Sequence, residues 1–362
     1  MECDPEARRD TPLALKLKAR IRAGGPISVT EYMRACLYDA EHGYYCSQTA
    51  IGAQGDFITA PEVSQVFGEL IGLWCAVVWQ QMGQPSPFNL VEYGPGRGTL
   101  MADALRALQR VPDCLRAVHV RLIEVSPVLR QMQRERLAGA TAPVTWHRTL
   151  REEVEPWPSI IVANEVLDVF PVEQWLRAGD KVWIRGVGLG AGDRLEFRAL
   201  LRPGDGLPPV DAEVAEVREL DHSVSYDMAS LPRAAALFVD YGHMQSMPGD
   251  TLQAVRDHRF EHPLCSPGEA DVTAQVDFEW FGFLCREAGL EVDGPVTQSH
   301  FLGQLGIIER ASRLMAANPG KAGEIEAGVA RLISPAGMGG RFKAIGVRSP
   351  GVPVLPGFEK GQ

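Results

Sequence analysis

The residues whose types and spacing most clearly imply chemistry form the run Glu92-Tyr93-Gly94-Pro95-Gly96-Arg97-Gly98-Thr99. Glycines at the end of a strand let the backbone turn sharply and approach a ligand closely, and a helix that follows offers unpaired amides at its start. A nucleotide-like cofactor fits such a turn. The dinucleotide pattern G-x-G-x-x-G seats a pyrophosphate on the helix terminus, whereas here the glycines at 94, 96 and 98 give G-x-G-x-G behind an acid, Glu92. S-adenosylmethionine has no phosphate but carries an amino group, a sulfonium and a ribose, so an acid at the strand end favours it. A second acid, Glu124, lies 26 residues beyond Gly98 (124 minus 98), where a Rossmann-like topology brings a carboxylate to the ribose hydroxyls. The alternatives are an ordinary tight turn for the glycines and a solvated strand-end acid for Glu124.

Other polar clusters follow strand-like runs. Ala163-Asn164-Glu165-Val166-Leu167-Asp168 falls at the carboxyl edge of a sheet, where open α/β folds bind ligands. Asn164 is expected to face the donor, Glu165 to orient an acceptor, and Asp168 to be a weaker second acid. A polar helix cap with solvated acids is the alternative. Asp56 and Thr59, with Phe57 for packing, are candidates for a segment covering the site, although a Gly-Asp turn before a Pro-Glu helix start serves structure equally well. His243, near Asp240, is a candidate base or a loop histidine. His258 and His262, four apart, invite a metal reading if they share a helix face, but without a clear third ligand no metal is expected. Arg341 and Lys343 flank Phe342 on an expected strand with a basic, solvent-facing side.

These residues need elements to position them. From Phe88 onward, short apolar runs alternate with amphipathic stretches, the pattern of strand-helix-strand units in a parallel sheet. Strands are predicted over Phe88–Tyr93, His119–Val125, Val144–Trp146, Ser159–Ala163 and Ala235–Asp240, with helices over Thr99–Arg110 and Pro127–Leu137. Upstream, Ser28 and Glu31 have capping-box spacing before a helix through Met33, Cys36 and Leu37. Val63 to Met82 repeats its apolar residues at helical intervals. Pro171 to Pro209 reads as an antiparallel meander inserted at the edge of the core. After Asp240 the sequence is irregular to about Asp271, then helical over Asp277–Ala288 and Leu305–Met315, with extended runs near Leu290–Thr297 and Arg341–Val347. The expected division is an N-terminal helical segment and lid loop over 1–62, a core over 63–245 with a β-rich insertion at about 171–209, and C-terminal helices and closing strands over 246–362.

The 362 residues, 45% of them hydrophobic, can bury one large core or two smaller ones. A formal charge of -10 argues against a general nucleic-acid binder, which needs basic surface to replace phosphate counterions. No apolar stretch approaches the ~20 residues of a membrane-spanning helix, so no membrane insertion is expected. Seven scattered cysteines without a C-x-x-C pair are read as reduced and structural. The acidic start fits neither a secretory signal nor an ordinary mitochondrial presequence, so a cytoplasmic protein is expected, with the mitochondrial matrix as the alternative for a processed chain.

Several stretches together resemble the MidA-like family of methyltransferases: Gly55-Asp56-Phe57-Ile58-Thr59-Ala60-Pro61-Glu62-Val63-Ser64-Gln65, Glu92 to Gly98, Ala163-Asn164-Glu165, Asp240-Tyr241-Gly242-His243, Asp271-Val272-Thr273 with Val276-Asp277-Phe278, and Met338-Gly339-Gly340-Arg341-Phe342-Lys343. The first two are the most distinctive, and the set runs from about residue 28 to 347. The resemblance implies a Rossmann-like class I methyltransferase core with a seven-stranded, mostly parallel sheet, a family-specific N-terminal segment and an inserted region. It implies that Glu92, Gly94, Pro95, Gly96, Gly98 and Glu124 hold S-adenosylmethionine, and that the Gly55–Glu62 loop closes over the site. The family includes a mitochondrial assembly factor that methylates an arginine on a core subunit of respiratory complex I. A protein arginine methyltransferase acting in complex I assembly is therefore the leading expectation, with a small-molecule methyltransferase or a donor-binding assembly chaperone as alternatives. Gln298 to Arg313 is a candidate partner surface; oligomeric state is left open.

Overall fold

The computed structural model describes residues 9–46, 59–152, 155–200, 213–219 and 223–359. By contact the chain divides into two compact units that interleave along the sequence: Met1–Phe57, Asp168–Asp221 and Gln245–Asp277 in the first, Ile58–Leu167, His222–Met244 and Phe278–Gln362 in the second.

The second unit is an α/β fold. Seven of its strands belong to a mixed sheet that has eight strands rather than the seven expected: β1 (Phe88–Tyr93), β2 (Val118–Ile123), β3 (Val144–His147), β4 (Ser159–Asn164), β5 (Ala234–His243), β6 (Glu291–Thr297) and β7 (Phe342–Arg348). Their order is β6-β7-β5-β4-β1-β2-β3. The neighbours from β5 to β3 run parallel, and β7 runs antiparallel to both β5 and β6. Every residue of β1 and β4 is buried, the burial expected of central strands covered on both faces. This is why they read as short, largely apolar runs rather than as a strict alternation.

Helix α1 (Gln65–Gln81) begins where the Ser64 hydroxyl accepts the Val66 amide and buries Phe67, Leu70, Ile71, Trp74 and Val78. It crosses α2 (Thr99–Leu108) closely, because a Cβ added at Gly68 or Gly72 would stand 2.6 Å from Asp103 Cβ or Ala104 Cα. The buried Glu69 carboxylate of α1 accepts Arg310 Nε at 2.8 Å and Arg106 Nε at 3.2 Å. It thereby ties α1 to α2 and to the helix Ile307–Ala317. The Ser126 side chain caps α3 (Pro127–Arg136).

The first unit has its own core of Leu13, Leu17, Val29, Tyr32, Met33, Val187 and Val272 with their neighbours. Ser28 and Glu31 make the expected reciprocal cap on the helix Val29–Tyr38. The strands Val172–Ala178, Lys181–Leu189 and Leu195–Leu200 form the antiparallel meander read from the sequence, joined by Ile27–Ser28 and Glu213–Glu219.

Three expectations are corrected. The stretch before Asp271 contains the strands Gln253–Arg256 and Arg259–Glu261, paired with each other and with Asp271–Thr273. His258 occupies the hairpin turn with Asp257, both at positive φ, so it shares no helix face with His262. Cys265 is disulfide-bonded, contrary to the reduced set expected, while Cys36, Cys75 and Cys114 carry free thiols. Among the described residues, no helix is long and apolar enough to cross a membrane.

Candidate functional site

The glycine turn follows β1 directly. Gly94, Gly96 and Gly98 all have positive φ, at 57°, 51° and 77°, a region that side-chain-bearing residues adopt only at a cost. The Gly98 amide donates back to the Pro95 carbonyl at 2.7 Å, closing the turn, and Gly98 then serves as the N-cap of α2. Gly94 is fixed sterically as well, since an added Cβ would lie 2.7 Å from Val166 Cγ2. Among the described residues, nothing lies within 4 Å of a Cβ added at Gly96.

Two carboxylates flank the turn. Glu92, on β1, is 3% exposed, and its Oε2 is buried without a hydrogen-bond partner among the described residues. Burial, and then the charge of Glu124, push its pKa from 4.5 up to about 8. Glu124 immediately follows β2. Its Oε1 accepts the Ser126 amide at 2.8 Å and its Oε2 accepts Gln133 Nε2 at 3.2 Å. Burial raises its pKa, opposed mainly by the Ser126 amide and Gln133. Gln133 on α3 was not singled out in the sequence. It is fully buried, donates to Gly96 O at 2.7 Å as well as to Glu124, and accepts Trp146 Nε1 at 2.9 Å. One amide side chain thus braces the glycine turn against the second acid.

Asn164 ends β4 and donates through Nδ2 to Glu165 Oε1 at 3.0 Å, while its Oδ1 is buried without a partner among the described residues. Glu165 has φ of 56°, and its Oε1 also accepts the Ala60 amide at 2.9 Å. Thr59 takes the N-cap position of the short helix Ala60–Val63 without a side-chain capping bond. Glu62 in that helix accepts the Thr99 hydroxyl and pairs with Arg97 at 3.7 Å. The second unit therefore gathers Glu92, the glycine turn, Glu124, Asn164, Glu165 and the foot of the 55–62 segment. Asp56 and Phe57 lie outside the described residues. Asp168 belongs to the first unit, where it is buried and its carbonyl accepts the Ala274 amide at 3.0 Å. There Tyr45 donates to Asp271 at 3.1 Å, and burial with the charges of Asp271 and Asp168 holds the Tyr45 phenol well above its ordinary pKa. His243 ends β5.

Oxygens on Glu92 and Asn164 left unsatisfied among the described residues, with none of those residues crowding Gly96, suit a ligand that brings hydrogen-bond donors and positive charge. They do not suit a pyrophosphate. The parallel strands, the glycine turn and the two strand-end acids define an α/β enzyme that binds a cationic nucleoside cofactor.

Comparison with known proteins agrees. The chain belongs to the MidA-like family of S-adenosyl-L-methionine-dependent methyltransferases, whose model matches residues 70–296. It is 36% identical to the mitochondrial protein arginine methyltransferase NDUFAF7 homolog of Drosophila melanogaster, over 94% of this chain and 85% of that protein. It is 32% identical to the mitochondrial protein arginine methyltransferase NDUFAF7 of Homo sapiens, over 94% and 84%. A solved structure from Burkholderia thailandensis bound to S-adenosyl-homocysteine superposes with a TM-score of 0.82 at 29% identity, covering 96% of this chain and 95% of that one. The protein is thus a methyltransferase that uses S-adenosylmethionine.

Proposed function

We propose that the chain methylates an arginine side chain of a protein, a subunit of respiratory complex I, on a core of the Rossmann-like class I methyltransferase type. The observation that supports it best is the pair of buried acids around the glycine turn, together with a third acid, Glu165, held at the end of β4. Glu124 would hold the ribose hydroxyls, Glu92 the positively charged end of the donor, and Asn164 a further polar edge. Gly94, Pro95, Gly96 and Gly98 would bring backbone against it. The bound donor supplies an electrophilic methyl group on sulfur.

The remaining work falls to the chain's own groups. Methyl transfer is an in-line displacement, so the acceptor nitrogen must be aligned and water excluded. An arginine guanidinium is cationic, with a pKa above ~12, and must have its charge localised away from the attacking nitrogen. Glu165 is the group assigned to that task, with the carboxylate as the fixed counter-charge; Asp168 is a secondary candidate. Thr59 would line the acceptor side. The named relatives are mitochondrial and are called arginine methyltransferases, which favours an arginine acceptor and is consistent with the matrix alternative rather than the cytoplasm.

Incubation with isotopically labelled donor and an extract containing respiratory complexes, followed by mass spectrometry, tests the acceptor. Label on an arginine of a complex I subunit is expected. Label confined to small molecules, or none in any protein, would refute it.

A further inference from the structure

Glu165 adopts a left-handed conformation, with φ of 56°, which a side chain with a Cβ reaches only when its surroundings enforce it. The enforcing group lies on the neighbouring strand. Asp240 on β5 is 1% exposed. Its Oδ2 accepts the Val166 amide at 3.0 Å and the Leu167 amide at 2.8 Å, and its Oδ1 accepts the Tyr241 amide at 2.8 Å. The Glu165 amide itself continues the strand ladder by donating to the Val239 carbonyl at 2.8 Å. The two residues after Glu165 are thus pinned by one carboxylate, and the residue before the pinned pair has nowhere to relax.

We infer that Asp240 is a positioning residue that holds Glu165 in its left-handed turn so that the Glu165 carboxylate meets the acceptor. The inference rests on the role assigned to Glu165 above. Asp240 has no contact with substrate in this account and acts through the peptide units of Val166 and Leu167. A carboxylate suits the task because two oxygens accept three converging amides, whereas an asparagine would turn its own amide hydrogens toward one of them.

The test uses the full chain with three variants, Asp240→Asn, Glu165→Gln and both together. Two quantities are read: calorimetric affinity for S-adenosylhomocysteine, which reports an intact donor seat, and the initial rate of labelled methyl transfer into the extract described above. Asp240→Asn is expected to bind the product and to transfer about a hundredfold more slowly, since displacing a reacting group by about 1 Å costs that much. In the Glu165→Gln background the same change is expected to add almost nothing, because a residue that acts only through Glu165 has no effect once Glu165 is disabled. A residue that merely supports the fold would instead lower the rate by its full factor in both backgrounds, and that result, or full transfer by Asp240→Asn, overturns the inference. Where Asp240→Asn does not bind the product, Asp240→Ser, which keeps a hydroxyl acceptor for the paired amides, replaces it in the same comparison. Full transfer by Glu165→Gln is a separate outcome that defeats the parent role of Glu165.

Discussion

Glu92 is a buried acid without a partner among the described residues for one of its oxygens, and that makes its protonation an observable. Its pKa is pushed from 4.5 up to about 8, so between those values the folded protein holds a proton that the unfolded chain has released. Stability from this group is fully present below the lower value and is lost as pH rises through the upper one. Glu92→Gln is therefore expected to flatten the fall in unfolding free energy between about pH 4.5 and pH 8, measured by denaturant titration. A donor that brings positive charge stabilises the ionised carboxylate. Binding of S-adenosylhomocysteine at neutral pH is accordingly expected to release protons, seen as a dependence of calorimetric heat on buffer ionisation enthalpy, and Glu92→Gln is expected to lose that release. Glu92 and Glu124 were legible from sequence because acids that end apolar runs stand out. Gln133 was not, since a glutamine on a polar helix reads as exposed; only the fold shows that three partners satisfy it in a buried position. Asp240 could be noted at a strand end, but the amides it accepts lie 73 and 74 residues away along the chain.

Among the elements, the parallel strands were the easiest to read. Burial on both faces makes β1 and β4 largely apolar, interrupted in β1 by the buried Asn89 and Glu92, and their limits agree with expectation to within a residue. The hairpin before Asp271 was missed because its turn is Asp257-His258, both at positive φ, where glycine or asparagine usually announces such a turn. Its strands also carry Arg256, Arg259 and Glu261 in place of an apolar alternation. The glycine turn is testable as a unit. Gly94→Ala would place a methyl 2.7 Å from Val166 Cγ2 at a φ of 57°. It is expected to lower stability by about 1–3 kcal/mol and to abolish binding of S-adenosylhomocysteine, read by denaturation and calorimetry. At the other unit, Ser28→Ala removes the side-chain half of a reciprocal cap; a loss of about 1 kcal/mol is expected, with donor binding retained.

For the molecule as a whole, the two units each draw on three separate stretches of chain. Sequence pointed to an antiparallel meander in 171–209 but not to the shared core it makes with the helices near the start and the stretch 245–277, because nothing local records which distant segments return to one another. The acidic balance, a formal charge of -10, argues against a general nucleic-acid binder and permits a basic protein acceptor. If charge guides that encounter, transfer to a protein acceptor weakens with added salt while affinity for the donor product stays nearly constant, because screening acts on exposed, separated charges more than on a buried seat. Initial rates and calorimetry across ionic strength measure the two.

The most direct test of the donor seat is calorimetric titration of S-adenosylhomocysteine and, separately, NADH into the unaltered protein and into Glu124→Ala. Saturable binding of the homocysteine compound is expected, with no NADH binding, and the substitution is expected to weaken it by at least about tenfold, the worth of a hydrogen bond to a charged group. NADH binding in place of the homocysteine compound, or identical affinity in the substituted protein, would contradict the account.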